Sequence, residues 1–443
     1  MKKILVLLVV LAMVAISSMA FATDISVSGM MSVRSRDFDN LTFDKNQVAG
    51  KTVDTQEKIR LEVNAKASDD LRGKLSIENY WDSFGRFENY QASGGTAAPS
   101  GGLGGTTTDQ SQFLKVREAW INFNIPGIPV NVNVGHQLLA LGNKWFLRSM
   151  YFGSDAWVAA NVTGPNTFAL VDIKVAEGSA SIAGDDVDAY ALLDVYKINE
   201  NHTVGIDVAN VKVRTNQAGA IPFDGLGNVV GSNLINVGLN YKGKLGPVNL
   251  EGEADIQSGK VESTTGGAEP KFKGNQIVVQ GNVAVNPVTI NFTLARGSGQ
   301  KSGDTDIKQF ITFQDIDTHY TYLYEYKIKT AAGAAHTGFS NTTAISAGVA
   351  ADVVKSLNIG LDIWYLQATE KITSAFDGST SSAMGTEVDG HVNWKLYDNL
   401  SWNWQLSYFK PGDGYKKLLS TATVEKTTDD AATGIQGYLT YKF

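Results

Sequence analysis

The chain has no cysteine and only 9 prolines in 443 residues. Without cysteine there is no disulfide, no thiolate metal site and no covalent haem attachment. So few prolines leave room for long unbroken strands. Apolar residues at helical spacing are scarce, so helices do not organise the fold. Long apolar runs are absent beyond the amino terminus, and a spanning helix needs ~20 apolar residues. A basic excess is missing too. The 38 Lys and Arg stand against 45 Asp and Glu, a formal charge of −7, which argues against a nucleic-acid partner.

The one apolar run opens the chain: MKKILVLLVVLAMVAISSMAFA, with two lysines, an apolar stretch and Ala20-Phe21-Ala22. It reads as a signal peptide over residues 1–22, cleaved after Ala22, with the mature chain starting at Thr23. As a membrane anchor, Ile4 to Ile16 falls short of ~30 Å of hydrocarbon. Position 23 is not Cys, so no lipid is expected on the mature terminus. Removing the leader's two lysines from the 38 basic residues leaves 36 against 45 acidic, a charge of about −9.

What the chain has in quantity is glycine, 45 of them, and alternation. INVGLNY sets Ile235, Val237, Leu239 and Tyr241 on one face and Asn236, Gly238 and Asn240 on the other. VTINFTL, LNIGLDIWY and LSWNWQLSY repeat the pattern from Val288, Leu357 and Leu400. Period two with one apolar face is a half-buried strand, and ~10-residue segments of this kind throughout a chain signal a membrane β-barrel. Short polar turns, such as Ser68-Asp69-Asp70, Gly164-Pro165-Asn166 and Tyr397-Asp398-Asn399, alternate with long polar connections at 91–110, 215–232, 260–271, 298–340, 368–385 and 411–432. Eight short turns and nine long loops join eighteen strands, with sixteen or twenty also compatible. The weak strand Asp155–Val162 keeps the up-down order, and HYTYLYEYK (His319–Lys327) reads as a hairpin arm within a loop or as part of two more strands. The expected fold is a closed all-β antiparallel transmembrane barrel over residues 23–443. Its short turns are periplasmic and its long loops extracellular.

The last ten residues, GIQGYLTYKF, alternate to the end and finish on Phe443. In a closed barrel this strand pairs with the first, from Asp24. Leader, strand-loop pattern and a last strand ending Tyr441-Lys442-Phe443 resemble the Gram-negative outer-membrane porin family. The resemblance covers the whole mature chain. It implies an outer-membrane location, lipid around the barrel, and Tyr441 and Phe443 as a signal for the barrel-assembly machinery. Eighteen strands look more like the substrate-selective channels, including the alginate-export type, than like the sixteen-strand trimeric porins. The Pro-Glu-Phe-Gly-Gly stretch of those porins is absent, so the resemblance leaves monomer and homotrimer open.

Residues opposite each apolar face line the lumen. In the first four strands they include Arg34, Arg36, Lys58, Arg60, Glu62, Arg72, Lys74, Glu78, Lys115 and Arg117, with a phase slip near Glu118. Later strands carry Glu251, Glu253, Asp255, Asp362, Glu387 and Asp389 inward. Strands three and eleven of eighteen stand nearly opposite, so a basic wall facing an acidic wall sets a transverse field. Wet inner walls also pair charges across neighbouring strands, and Arg60 with Glu78 fits that plainer reading. LLALGNKWFLRSMYFGSDAW (138–157) is the constriction candidate, with Lys144, Trp145, Phe146, Arg148, Met150, Tyr151 and Phe152. So apolar a loop is costly when exposed. It either folds into the lumen or caps the barrel or packs on a neighbour.

Several motifs fail. ARGSGQKSGD lacks phosphate-loop spacing. The five His are scattered, so no metal is expected. Glu251-x-Glu253-x-Asp255 is more simply a wet wall than a cation site. No nucleophile, base and orienting partner assemble, so neither catalysis nor a cofactor is expected. The reading is a passive pore for small hydrophilic solutes or ions. Its rivals are a specific channel for an organic acid or saccharide, and a sheath around a periplasmic protein.

Overall fold

The computed structural model describes residues 24–47, 50–79, 81–83, 115–177, 186–214, 222–223, 227–228, 231–262, 269–314, 319–329 and 337–443. The expected leader and the 91–110 stretch lie outside the described residues. Eighteen long strands follow one another: β1 (Asp24–Asp39), β2 (Thr52–Ser68), β3 (Leu71–Glu78), β4 (Lys115–Asn124), β5 (Val130–Ala140), β6 (Leu147–Thr163), β7 (Asn166–Ala176), β8 (Val187–Asn199) and β9 (His202–Val213). Then come β10 (Ser232–Leu245), β11 (Val248–Val261), β12 (Asn275–Val285), β13 (Val288–Gly297), β14 (Thr342–Val354), β15 (Leu357–Thr373), β16 (Thr380–Tyr397), β17 (Leu400–Pro411) and β18 (Ala432–Lys442). Each pairs antiparallel with the next, and β18 pairs with β1 from Met30↔Lys442 to Asp39↔Thr433, which closes the ring. Closure leaves no free strand edge, so every long strand finds partners on both sides.

Local chemistry sets the register. Outward residues are large and apolar, as with Leu239 (61% exposed), Ile256 (64%) and Ile363 (51%). Putting such a side chain in water costs ~1.5–3 kcal/mol, so this belt belongs in hydrocarbon. Their neighbours in sequence turn inward and are mostly buried. The tight turns between β6 and β7 and between β10 and β11 each need a left-handed residue, and Gly164 (φ 58°) and Gly246 (φ 60°) supply it. Opposite Ser76 and Ile77, β4 slips register at Glu118, so Arg117 and Glu118 both reach the lumen.

The lumen is not an even tube. Along β6 to β9 the inward side chains are small and apolar, including Ala156, Val171, Ile173, Ala191 and Val211. They pack on Phe146, Phe310 and Ile311, which the connections carry inward. A second apolar cluster gathers Leu323, Tyr324 and Phe339 with Phe38, Trp364, Phe409 and Tyr415, the last on the helix α1 (Asp413–Leu419).

Two sequence readings need correction. Residues 138–157 are not one loop. β5 runs through Ala140 and β6 begins at Leu147, leaving 141–146 as the connection. The stretch resembled a loop because its inward positions are as apolar as its outward ones. His319–Lys327 is neither strand nor hairpin arm. It passes into a π-helical turn, Tyr324–Ile328, inside the barrel. Its alternating tyrosines mimic a strand, but among the described residues no neighbouring backbone continues a ladder there.

Candidate functional site

The 141–146 connection bends across the lumen to β11. Glu253 accepts the backbone N–H of Asn143 and, at 3.2 Å, that of Trp145. The Asn143 side-chain amide donates to the Gly252 carbonyl at 2.7 Å. Lys144 takes a left-handed backbone (φ 78°) at the tip and stays exposed. Phe146 is 1% exposed and packs edge-on to Phe313 at 5.7 Å, while the Trp145 ring lies 4.8 Å from Phe339. Arg148 and Tyr151 stand on β6, not on the connection. Tyr151 is buried with the Lys58 ammonium 4.2 Å from its ring centroid, and the Arg148 Nε is buried without a hydrogen-bond partner among the described residues.

A second segment, 298–341, of which 298–314, 319–329 and 337–341 are described, also folds into the lumen, where the alternation marked only a long polar connection. The Gln257 amide clamps Ile311, donating to its carbonyl at 2.7 Å and accepting its N–H at 3.0 Å. Phe313 donates to the Phe146 carbonyl at 2.8 Å, joining the two infolded segments. Glu387 on β16 accepts the N–H groups of Leu323 (2.6 Å) and Tyr324 (2.8 Å), and Asp389 accepts that of Tyr322 (3.3 Å). The Lys329 ammonium, fully buried, lies 3.5 Å from Glu325 and donates to the Gly338 carbonyl at 2.5 Å. Carboxylates that accept two backbone N–H groups make strong, charge-assisted anchors.

Facing these segments is the inner wall of β1 to β4. Arg36 binds Asp54 through two hydrogen bonds of 2.8 and 2.5 Å. Arg34 donates twice to the Gln56 amide oxygen and lies 4.1 Å from the Trp81 ring centroid. Glu78 meets Arg60 at 2.7 Å, Lys58 at 3.5 Å and Arg117 at 3.9 Å. Lys74 meets Glu118 at 2.7 Å and Glu62 at 3.5 Å. Arg72 donates to Asn122 at 3.0 Å nearer the short-turn end. Five cations (Arg36, Lys58, Arg60, Lys74 and Arg117) thus share four carboxylates (Asp54, Glu62, Glu78 and Glu118), and Arg34, held by the neutral Gln56 amide, adds a sixth charge, leaving a positive surplus in a ladder along the wall.

The acidic residues of the later strands fall differently from a bare opposing wall. Glu253, Glu387 and Asp389 face inward but are covered by the loop backbones they hold. Asp255 is buried among Asn236 and Gln276, and Glu251 pairs with Lys242. Asp362 stands beside Asp389 in register on β15. Tyr441 is stacked on Phe443, with ring centroids 6.0 Å apart, at the outer side of the seam. Tyr438, on the inward face of the last strand, has its ring 6.0 Å from that of Trp81, and Trp81 and Lys327, which no strand alternation assigned to the wall, also border the ladder. Among the described residues no group of three His, Asp or Glu is placed to hold a metal, and no helix is long and apolar enough to cross a membrane.

No protein-family model matches the sequence, and no curated relative does. Solved structures do resemble it. Outer membrane protein OpdK of Pseudomonas aeruginosa aligns over 95% of this chain and 98% of its own at 9% identity, with a TM-score of 0.56. OccK2 (OpdF) of the same organism, in complex with glucuronate, aligns over the same shares at 10% identity and 0.56. A BenF-like porin from Pseudomonas fluorescens does so at 11% identity and 0.56. OpdK with vanillate aligns over 94% and 98% at 7% identity and 0.54. At such identities the likeness is one of fold.

Proposed function

We infer that this chain, which has the fold of the Gram-negative outer-membrane porins, is a passive outer-membrane channel for small hydrophilic solutes, with a preference for organic anions. The observation that carries this is the cation surplus on β1 to β4, set against two loops folded into the lumen. The loops narrow the path, and a narrow path brings a solute within reach of the wall. Guanidinium and ammonium groups then replace part of the hydration of a carboxylate. Glu62, Glu78 and Glu118 keep each cation from holding an anion too tightly, so a solute moves from one site to the next. No step involves a bond made or broken.

The infolded loops favour a selective channel over a general pore. Glucuronate and vanillate, bound in two of the similar structures, are both carboxylates, and the ladder here suits that group. A sheath around a threaded protein fits poorly, because the chain's own segments occupy the lumen. The test is single-channel recording of the refolded protein with sodium glucuronate added to one side. Saturable block of the chloride current supports the reading. Current steps unaffected by glucuronate would reduce it to a general pore.

A further inference from the structure

The 298–341 segment brings one ammonium to the basic wall. Lys327 stands on the π-helical turn, its Nζ 4.5 Å from the Tyr326 ring centroid and 5.2 Å from that of Phe38. The charged groups acting on it across the gap are Arg36 and Arg34 on β1 and Asp54 on β2. Arg36 engages both Asp54 oxygens. Arg34 donates to the neutral amide oxygen of Gln56, which leaves its charge uncancelled. Three cations therefore share one carboxylate. The cluster is not sealed, since Lys327 is partly exposed and the Asp54 side chain is 25% exposed.

We propose that Lys327, Arg34 and Arg36 form an anion site where the infolded segment meets the wall, built to take the carboxylate of a passing solute. The proposal rests on the channel reading above and deepens it. It gives the loop an active part: it supplies one of the charges as well as narrowing the path. The faces of Tyr326 and Phe38, both buried, lie against the ammonium and help hold it at the site.

The site is also proton-sensitive. Burial, then Arg36 and Arg34, push the Lys327 ammonium down to about 8, and Asp54 opposes them only in part. Below that pH the cluster carries its full surplus, and above it Lys327 goes neutral and the surplus falls. The other titratable groups on the turn are Tyr324, Tyr326 and Glu325, which pairs with the buried Lys329 just beyond it, and the ring of His319, which precedes the turn, lies 4.9 Å from that of Tyr326.

The experiment measures the chloride-to-potassium permeability ratio of the full protein in a planar bilayer under a KCl gradient, at about pH 7.5 and about pH 9.5. Wild type is expected to lose about threefold in the ratio over that range, the size expected from removing one charge of a small surplus. Lys327→Met should hold the low value at both pH values, and Lys327→Arg the high value at both. Heat-dependent gel mobility confirms that each variant is a folded barrel. A flat wild-type ratio, or a fall that persists in Lys327→Met, overturns the site while leaving the channel. Absence of current steps overturns the channel reading and the site with it.

Discussion

The carboxylate of Glu387, on the inner wall, accepts the backbone N–H of Leu323 at 2.6 Å, and both residues are fully buried. One side chain thus fastens the 298–341 segment within the barrel. Each charge-assisted hydrogen bond of this type contributes about 1.5–3 kcal/mol. Glu387→Ala is expected to release the segment without opening the barrel, because the strand ladder of β16 is untouched. Single-channel recording should show conductance rising by about a factor of two with added flicker, as expected when a narrow part of a pore is widened. Glu387→Gln keeps one acceptor and should fall between.

Glu253 plays the matching part for the 141–146 connection through Asn143 and Trp145. Glu253→Ala should raise conductance as well. The two segments touch through Trp145 and Phe339 and through the Phe146–Phe313 hydrogen bond. Groups in contact do not add independently. The double variant should therefore exceed the sum of the single effects, measured as unit conductance in the same salt.

Glu78 offers a test by sign. It sits between Lys58, Arg60 and Arg117. Glu78→Gln removes a negative charge from the ladder and should increase the chloride-to-potassium permeability ratio. Arg60→Gln should decrease it. Reversal potentials under a salt gradient separate the two, and a change in the same direction for both would mean that the wall does not set selectivity.

The strand pattern was legible because a barrel wall in contact with hydrocarbon obeys a strict period of two. Leu239, Ile256 and Ile363 announce their strands, and the eight short turns fall where Asn, Asp, Gly, Pro and Ser cluster. The lumen was less legible. Arg34 and Arg36 are buried and Arg60 pairs with Glu78 beside them, on the face where a period of two puts every second side chain. What alternation cannot carry is a contact between a loop and a distant strand. Glu253 and Glu387 look like any inward carboxylate until Asn143 and Leu323 arrive. Ala156 and Val171 look misplaced on a wet wall until Phe146 and Phe310 cover them. The tyrosines at 320, 322, 324 and 326 satisfy a strand pattern, yet among the described residues no strand partner lies beside them.

The seam gives a fourth prediction. Phe443 accepts the Gly29 N–H at 2.8 Å and donates to the Gly29 carbonyl at 3.1 Å. A side chain at position 29 would meet the Phe443 ring and sit 2.7 Å from the Arg60 carbonyl oxygen. Deletion of Phe443 should lower the yield of folded barrel, since it removes two hydrogen bonds worth ~1 kcal/mol each where the ring closes. Gly29→Leu should do the same. Heat-dependent gel mobility of refolded protein measures both. If deletion reduces yield only in cells and not in refolding, the terminal residue acts through the assembly machinery instead.

The most direct measurement is the zero-current potential of single channels in a planar bilayer under about a tenfold KCl gradient at neutral pH, where a selective pore develops a potential set by its wall charge. Stable steps with a potential of the sign that favours chloride are predicted from the ladder of Arg34, Arg36, Lys58, Arg60, Lys74 and Arg117. A potential favouring potassium, or the absence of steps from a folded barrel, would contradict it.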